Sequence, residues 1–409
     1  MTIQTSAAAS GAIALTNSIR TKYINKYVEA AMFERVYDQL SHGIDKDGVE
    51  EAAFLGSSIQ YDFLSDMEPG TTAISQTTDI TPQALRDTTA TVTPVSRGEA
   101  LQWSQQIDLM AYTNYGEQRF RAIGKNMMES LEILAAAAAL QGGNVLRAAA
   151  RASLDAGNTA HNLTEAAFGE AEVLCQTLKV PALVDPSTGR KSWIAVMHPS
   201  VFYDLRNNGN VESVALYQKS EIVLNYELGR LGPFKIIVSP WAKVFGAAGA
   251  DHASNVDTTL SSAVNALSKT FVVASATNIT SGDWLTVGTE ETANTFQALN
   301  ERVRVSADYV SGTTIDIVGE GANGGLRFGH ASGVAVRNAD SVFPVAYGGT
   351  HSLAKVFDRE VGEFGEVVGP LKDGILEQFK TLGWKWWGQY GRPVESFILR
   401  GEYSSSLEA

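Results

Sequence analysis

The sequence contains a single cysteine in 409 residues. Cys175 cannot form an intrachain disulfide, and one thiolate cannot hold zinc or an iron–sulfur cluster. Disulfide-stabilised secreted scaffolds and cysteine-based metal sites are therefore excluded. The near absence of cysteine favours a protein that works in a reducing cytoplasm.

Long apolar segments are missing as well. The longest, residues 133–140, is flanked by Glu132 and Gln141, whereas a membrane-spanning helix needs about 20 apolar residues. No basic residue precedes Arg20, so the charged start and apolar stretch of a secretory signal are absent. We predict that the protein stays inside the cell that makes it. Because the chain starts at Met1, we also expect that no N-terminal segment is removed.

Positive charge is scarce. Lys and Arg number 32 against 45 Asp and Glu, so the formal net charge is −13. Without an overall positive field, a sequence-reading DNA-binding domain is disfavoured. The composition, 44% hydrophobic and 19% charged, is that of an ordinary folded protein, and the length allows about two to four domains.

Motifs that carry chemistry are also missing. The histidines show no pair spaced to bind zinc on a helix; they are His42, His161, His198, His252, His330 and His351. Neither a G-x-S-x-G motif nor a phosphate-binding loop occurs, and the glycines of 319–329 lie between predicted strands, where they indicate turns. The sequence therefore assigns no catalytic, cofactor-binding or metal-binding residues, and we predict that the protein is not an enzyme.

Four local patterns have a plainer structural interpretation. Ser352 and Lys355 match the S-x-x-K pattern of serine acyl-enzymes, but its companion motifs are absent. Cys175 has the spacing of a helix core position. An acidic group near the C-terminal end could bind calcium, yet its spacing fits no EF-hand loop, so an exposed turn is favoured; its members are Asp358, Glu360, Glu363 and Glu366. The run Trp384-Lys385-Trp386-Trp387 could stack on sugars, but alternation favours burial of Trp384 and Trp386.

The first quarter of the chain is predicted to contain little core. Residues 17–40 have the spacing of an amphipathic helix with a basic polar face. From 57 to 105 the pattern becomes extended, with Ile59, Tyr61 and Phe63 alternating with polar residues and a threonine-rich stretch after Pro69. Such a polar segment buries little surface alone, so we predict a projecting β-hairpin that a partner subunit holds.

A long helix and a mixed domain follow. Apolar residues repeat at helical spacing between Tyr115 and Gln141, before Gly142-Gly143. Thr164 is predicted to cap a second helix that ends at Pro181. Strands at 193–197, 222–224 and 234–238, with a helix after His198-Pro199, complete an α+β domain over 163–245.

Residues 248–341 show only strand patterns. Strands are predicted at 271–274, 284–287, 303–307, 314–318 and 334–336, separated by Gly-containing turns. Because mixed structure returns at Phe343, this block is interpreted as a small barrel or sandwich inserted into its host domain. Two antiparallel strands, joined by a turn at 389–392, are predicted to close the chain and cover the long helix.

This order of elements resembles the major capsid proteins of tailed bacteriophages, which have the Hong Kong 97-like fold. The segments VAYGGTHSLA (345–354), GPLKDGIL (369–376) and LGWKW (382–386) are similar to the branch found in large podophages. The resemblance implies an α+β capsid fold with six parts: an N-terminal arm (1–56), an extended loop (57–105), a peripheral domain with its spine helix (106–162), an axial domain (163–247), an inserted all-β domain (248–341) and a return with closing strands (342–409).

The resemblance further implies a function. Such proteins assemble through hexamers and pentamers into an icosahedral shell around double-stranded DNA, in the virion and first in the host cytoplasm. The partners implied are further copies of this chain, a portal, a decoration protein on the inserted domain, and either a separate scaffolding protein or none. No cofactor is implied. A tail-tube or baseplate subunit, a hydrolase with a β-domain, and a carbohydrate-binding protein using Trp284 and the Trp384 cluster remain alternatives.

Overall fold

The protein is described from a computed structural model. The described residues are 36–41, 58–71, 73, 77, 82–110, 116–184, 189–208, 212–213, 227–252, 254–289, 297, 299–319, 321, 324–349, 352–357, 365–373 and 377–408. Most of the helix predicted over 17–40 lies outside them, and its described end, Tyr37–Ser41, is a 3-10 helix. The strand predicted at 222–224 and Asp358, Glu360 and Glu363 also lie outside them.

The chain divides into two compact units. The described residues of the first unit fall within Gly43–Leu131 and Leu353–Val394. Those of the second fall within Val36–His42, Glu132–Ser352 and Glu395–Ala409. No helix in the described part of the chain is long and apolar enough to cross a membrane.

Four α-helices are described: α1 (Gln105–Met110), α2 (Gly116–Leu140), α3 (Glu165–Thr177) and α4 (Pro199–Asn208). The strands are β1 (Ile59–Leu64), β2 (Asp87–Val92), β3 (Val95–Ser104), β4 (Val145–Leu146), β5 (Leu183–Val184), β6 (Lys191–Met197), β7 (Glu212–Ser213), β8 (Glu227–Leu231), β9 (Phe234–Val238), β10 (Asp257–Thr259), β11 (Thr270–Val272), β12 (Trp284–Val287), β13 (Glu301–Val305), β14 (Thr314–Val318), β15 (Ala335–Arg337), β16 (Phe343–Gly348), β17 (Ala354–Phe357), β18 (Glu366–Asp373), β19 (Phe379–Gly391) and β20 (Ile398–Tyr403).

Helix α2 is the long helix that the sequence predicts. Its apolar stripe is buried through Ile123, Met127 and Leu131, and Ala135 and Ala139 continue it. A helix of 25 residues is about 38 Å long at 1.5 Å per residue. The small side chains of its C-terminal half allow close packing.

A four-stranded sheet is the main β-structure of the first unit. β19 lies at its centre, pairs with β3 along one side, and pairs with β18 and β17 along the other. Trp384 and Trp386 are buried on the same face, as alternation predicts. The indole nitrogen of Trp384 donates to the Asn126 side chain of α2 over 2.8 Å, so this face covers the helix.

The predicted closing pair of strands is wrong. β19 runs on through Gln389 to Gly391, and β20 pairs with β16 and β4 in a different sheet. Pro393, which lacks a backbone N–H, falls between the two strands, and Glu395–Phe397 forms a 3-10 helix. The chain therefore changes sheets where the sequence pattern suggests a hairpin turn.

An eight-stranded sheet forms the core of the second unit, in the order β4-β20-β16-β6-β9-β8-β7, with β5 paired to β6. Every residue of β16 and β20 is buried, as expected for strands covered on both faces. Helix α3 packs against this sheet, and Thr164 caps it by accepting from the Ala167 N–H, as predicted. The rings of Phe168, Phe234 and Tyr347 meet edge to face.

The strand-only block is a small barrel. Its six strands lie in the order β10-β15-β12-β13-β14-β11. A bridge between Leu260 and Val273 joins the two end strands, and this closes the sheet. Its interior is a separate apolar core that includes Leu285, Val303 and Ile315. Strand β10 was not predicted, because Asp-Thr-Thr carries no apolar alternation.

The barrel begins and ends at neighbouring points. Phe245 and Val342 form an antiparallel bridge with hydrogen bonds of 2.9 Å in both directions. Next to this bridge, Gly249 N donates to Asp340 O over 2.8 Å, and Asp340 N donates to Ala250 O over 3.0 Å. Chain ends this close are typical of an inserted domain, although the boundaries of all six predicted parts remain predictions.

Candidate assembly surface

The described part of the β1–β2 hairpin contacts the core at its base. The strands pair antiparallel from Ile59 with Val92 to Leu64 with Asp87. Ile59 and Val92 are buried against Val356 of β17, and Tyr61 packs beside them. One end of the hairpin thus belongs to the core of the first unit.

The other end of the hairpin exposes apolar side chains. Leu64, Met67 and Leu85 are 72%, 61% and 54% exposed. The backbone remains ordered beyond the strands, since Ser65 N donates to Arg86 O over 2.8 Å and Glu68 N donates to the Gln83 side chain over 3.1 Å. We call residues 64–71 and 82–87 the hairpin tip, and its exposed apolar side chains make it a candidate contact surface.

Strand β3 has a second exposed surface. Its ten residues pair with β19 along one edge, and no strand of the described chain pairs with the other edge. Most of its side chains are exposed. Gly98 lets it approach β19 closely, because a β-carbon there would lie 2.4 Å from the Trp384 carbonyl oxygen. A long unpaired edge is a template for pairing with another chain.

A polar network fixes the end of β3. The Asp108 carboxylate of α1 accepts hydrogen bonds from Trp103 and Lys380, both over 3.0 Å, and from Arg119. The Arg119 guanidinium also lies 4.4 Å from the centre of the Trp103 ring. Desolvation opposes ionisation of Asp108, but the hydrogen bonds from Arg119, Trp103 and Lys380 outweigh it and hold the pKa of the carboxyl far below its usual range.

We expect Asp108→Asn to lower the free energy of unfolding at pH 7 by about 1 kcal/mol, since partly exposed ion pairs contribute ~0.2–1 kcal/mol each. The pKa of Asp108 is depressed in the folded state, so its contribution is present above the unfolded-state pKa of about 3.9. It is lost as the pH falls further. Urea unfolding of both proteins from pH 7 to 2.5 should show the difference shrinking below pH 4. A difference independent of pH would contradict the assignment.

Cys175 is the core residue that the sequence predicts. It lies on α3 and is buried with Phe168 and Ala171. Burial, with a smaller effect of Glu172, raises the pKa of the thiol to about 12. The thiolate that a nucleophile needs is therefore negligible at neutral pH.

We expect the folded chain to leave Cys175 unmodified by a thiol-specific disulfide reagent at pH 8 over hours. One thiol per chain should react within minutes in denaturant. Absorbance of the released chromophore measures both. Fast reaction of the folded chain would contradict this placement of Cys175.

The remaining candidates also have structural roles. The Ser352 hydroxyl accepts from Gly349 N over 2.7 Å and donates to Phe397 O over 3.0 Å, so it holds a turn. Trp384 and Trp386 are 5% and 0% exposed, which removes the sugar-stacking hypothesis for that cluster. Glu366 pairs with Lys385 over 3.1 Å.

Metal and cofactor sites were not predicted. Among the described residues, no three His, Cys, Asp or Glu side chains cluster as metal ligands would. His330 and His252 lie 2.6 Å and 3.0 Å from Glu301 and Asp340, respectively. His42 and His351 fall outside the described residues.

The sequence predicted the hairpin but not two other features of the surface. It placed β3 in the same loop, whereas β3 is a strand of the four-stranded sheet. It also gave no role to Asp108, whose partner Lys380 is 272 residues away in the chain. For β3, the only available signal was the alternation of Arg97, Glu99 and Leu101 with small residues.

No protein-family model matches the chain, and no curated protein matches it. Solved structures do match. A chain from the capsid of Ralstonia phage GP4 is 9% identical and covers 91% of this chain and 92% of its own, with a TM-score of 0.56. A Mycobacterium phage Che8 chain is 8% identical and covers 90% of this chain and 91% of its own length, with a TM-score of 0.46. A chain from the capsid of cyanophage Pam1 is 13% identical and covers 86% of both, with a TM-score of 0.45.

The likeness to the capsid chain of Ralstonia phage GP4 extends along nearly the whole of both chains. At 9% identity and a TM-score of 0.56, it shows a shared fold. The chain therefore has the fold of phage capsid proteins, and the α+β capsid fold predicted from the sequence is confirmed.

Proposed function

We propose that this chain is the major capsid protein of a tailed bacteriophage and has no enzymatic activity. Copies of it assemble through hexamers and pentamers into the icosahedral shell that encloses the double-stranded DNA genome. The observation that carries the proposal is the fold shared with the phage GP4 capsid chain over 91% of this chain. The protein is then a virion component that is assembled in the cytoplasm of the bacterial host.

The exposed hairpin tip and the free edge of β3 support self-assembly. In an isolated chain, the tip exposes apolar groups to water and the β3 edge exposes unpaired backbone hydrogen-bonding groups. Covering either surface with a partner would lower the free energy. In a shell, every subunit has neighbouring copies of the same chain that can cover these two surfaces. In the shell, therefore, each hairpin tip lies against a neighbouring copy.

The charge also fits a shell wall. At −13 per chain, the copies repel one another and do not grip packaged DNA. Repulsion beyond a Debye length of about 8 Å is screened at physiological salt. Assembly therefore depends on apolar and hydrogen-bonded contacts and should become easier as salt increases.

Mass photometry and negative-stain electron microscopy test the proposal directly. The chain is expressed alone, and then with the phage's candidate scaffolding protein, across 0.05–1 M salt. Closed shells, or hexamers and pentamers that curve into them, are the expected result. A monomer under all of these conditions would contradict self-assembly.

The barrel is the part of the chain that we assign to contacts beyond the basic shell. Its own core and its adjacent entry and exit points suit a domain that strengthens capsomer contacts or receives a decoration protein. A portal and a scaffolding protein would contact other surfaces.

Deletion of residues 248–341, with a short Gly-Ser link, should leave a folded chain, because Phe245 and Val342 already lie side by side. We expect shells that form but break at lower temperature or lower denaturant concentration than the wild type. Light scattering during heating measures this. Shells as stable as the wild type that still bind every accessory protein would contradict the assignment.

A further inference from the structure

A polar cleft of about 600 Å³ opens beside the barrel in the second unit. Its walls include Ser254, Asn278, Asp283, Trp284, Arg304 and Asn338. The volume lies within the roughly 300–1,000 Å³ of clefts that bind small molecules. No step of shell assembly described above uses it.

The walls of the cleft are held by hydrogen bonds. Asn338 accepts from Val256 N over 2.7 Å and donates to Ser254 O over 3.0 Å. Asn278 donates to Asn255 O over 3.0 Å, and Arg304 Nε donates to Gly282 O over 3.2 Å. A cleft fixed in this way loses little conformational entropy when it binds a ligand.

One wall is aromatic. The Arg302 guanidinium lies 3.8 Å from the centre of the Trp284 ring and fixes the indole. Arg304, opposite Trp284 on β13, lies 5.8 Å from the ring centre. Within the described chain, only Nε of Arg304 has a hydrogen-bond acceptor, so its terminal nitrogens can serve a ligand.

The charges of the cleft nearly cancel. Arg304 and Asp283 both line the cleft, and Asp283 accepts from the Thr280 N–H and hydroxyl over 2.7 and 2.8 Å. Glu408 forms an ion pair with Arg302, and His252 lies 3.0 Å from Asp340. Without an excess of either sign, the cleft has no preference for a phosphate, an acidic peptide or a cation.

We propose that this cleft binds a short neutral oligosaccharide. Carboxamides, hydroxyls, a carboxylate and a guanidinium together supply both donors and acceptors for vicinal sugar hydroxyls. The indole supplies an apolar surface with a polar edge for the ring carbons. This function goes beyond shell formation and does not depend on it.

The test uses the fluorescently labelled full-length chain on an array of neutral bacterial and plant oligosaccharides, followed by isothermal titration of the strongest binder. Arg304→Gln removes the free guanidinium, and Ser254→Trp fills the cleft from an exposed position. Arg337→Gln is the matched control, because Arg337 is a partly exposed barrel arginine that pairs with Asp257 outside the cleft.

Binding by the wild type and Arg337→Gln, with at least a tenfold loss in Arg304→Gln and in Ser254→Trp, is the expected result. Absence of binding to every saccharide would overturn the proposal, as would equal binding by all four proteins. In parallel titrations, binding of a poly-glutamate peptide or inorganic phosphate but no saccharide would also overturn it. Shell formation, scored by microscopy on the same preparations, separates this result from a failure of the proposed capsid role.

Discussion

Glu402→Gln should lower the free energy of unfolding by about 3–5 kcal/mol, since removing one partner of a buried ion pair leaves an uncompensated charge. Glu402 lies on β20 and is completely buried. It forms ion pairs with Arg151 and, over 3.2 Å, with Arg147, and Arg400 Nε lies 3.0 Å from it. Arg151 and Arg400 are themselves buried and would keep their charge.

The effect of pH has a definite sign. Desolvation of Glu402 favours its neutral form, but the hydrogen bond and charge of Arg151, with the charges of Arg400 and Arg147, lower the pKa of the carboxyl overall. Its contribution is therefore present above the unfolded-state pKa of about 4.3 and is lost as the pH falls through the folded-state value. The stability difference between wild type and Glu402→Gln should narrow below pH 4.

Glu170→Gln is the matched control for this variant. Glu170 belongs to the same unit but is exposed on α3, so its neutralisation should change stability by less than about 0.5 kcal/mol. Urea unfolding followed by circular dichroism measures both. If Glu402→Gln and Glu170→Gln had the same free energy of unfolding, the negative charge of Glu402 would not stabilise the buried arginines around it.

Elements with a strong local period were predictable from the sequence. Helix α2 repeats apolar residues over seven turns, and β6 is a continuous apolar run that ends at a His-Pro helix start. The predicted strand at 284–287 matches β12, and the one at 314–318 matches β14. In these segments the local pattern and the tertiary environment demand the same structure.

Features set by distant parts of the chain were not predictable. The pattern of residues 389–399 predicts a hairpin and does not indicate that β20 pairs with β16 instead of β19. Closure of the barrel depends on the bridge between Leu260 and Val273 and the backbone hydrogen bonds beside it, and any residue type can form such bonds. Arg147 and Arg151 are more than 250 residues from Glu402 in the chain, so the sequence does not indicate that they meet its carboxylate.

For the assembly surface, the sequence predicted which segment projects but not which of its residues are exposed. Low apolar content marked 57–105 as a projection, because such a segment cannot bury enough surface to form a core. Which apolar residues stay exposed depends on the pairing register. Leu64 is opposite Asp87 at the outer end of the ladder, beyond the reach of the core at Ile59 and Val92.

Removal of the hairpin tip should abolish shells while leaving the chain folded. Residues 65–86 are replaced by Asn-Gly, a two-residue turn that suits Leu64 and Asp87 as directly paired strand ends. The buried base at Ile59, Val92 and Val356 is untouched, so we expect the melting temperature of the chain to fall by no more than a few degrees.

Shells should be lost because, in the proposed shell, the exposed apolar side chains of the tip contact a neighbouring copy, whereas the core of the chain involves the base of the hairpin. Met67→Gln and Leu85→Gln should therefore weaken assembly in a graded way, raising the concentration needed for shells severalfold each. Val173→Gln, at an apolar residue exposed to a similar degree on α3, controls for loss of surface hydrophobicity. If the truncated chain formed closed shells of normal size, the copies would have to be held together by β3 and other surfaces, and the hairpin tip would not be an assembly contact.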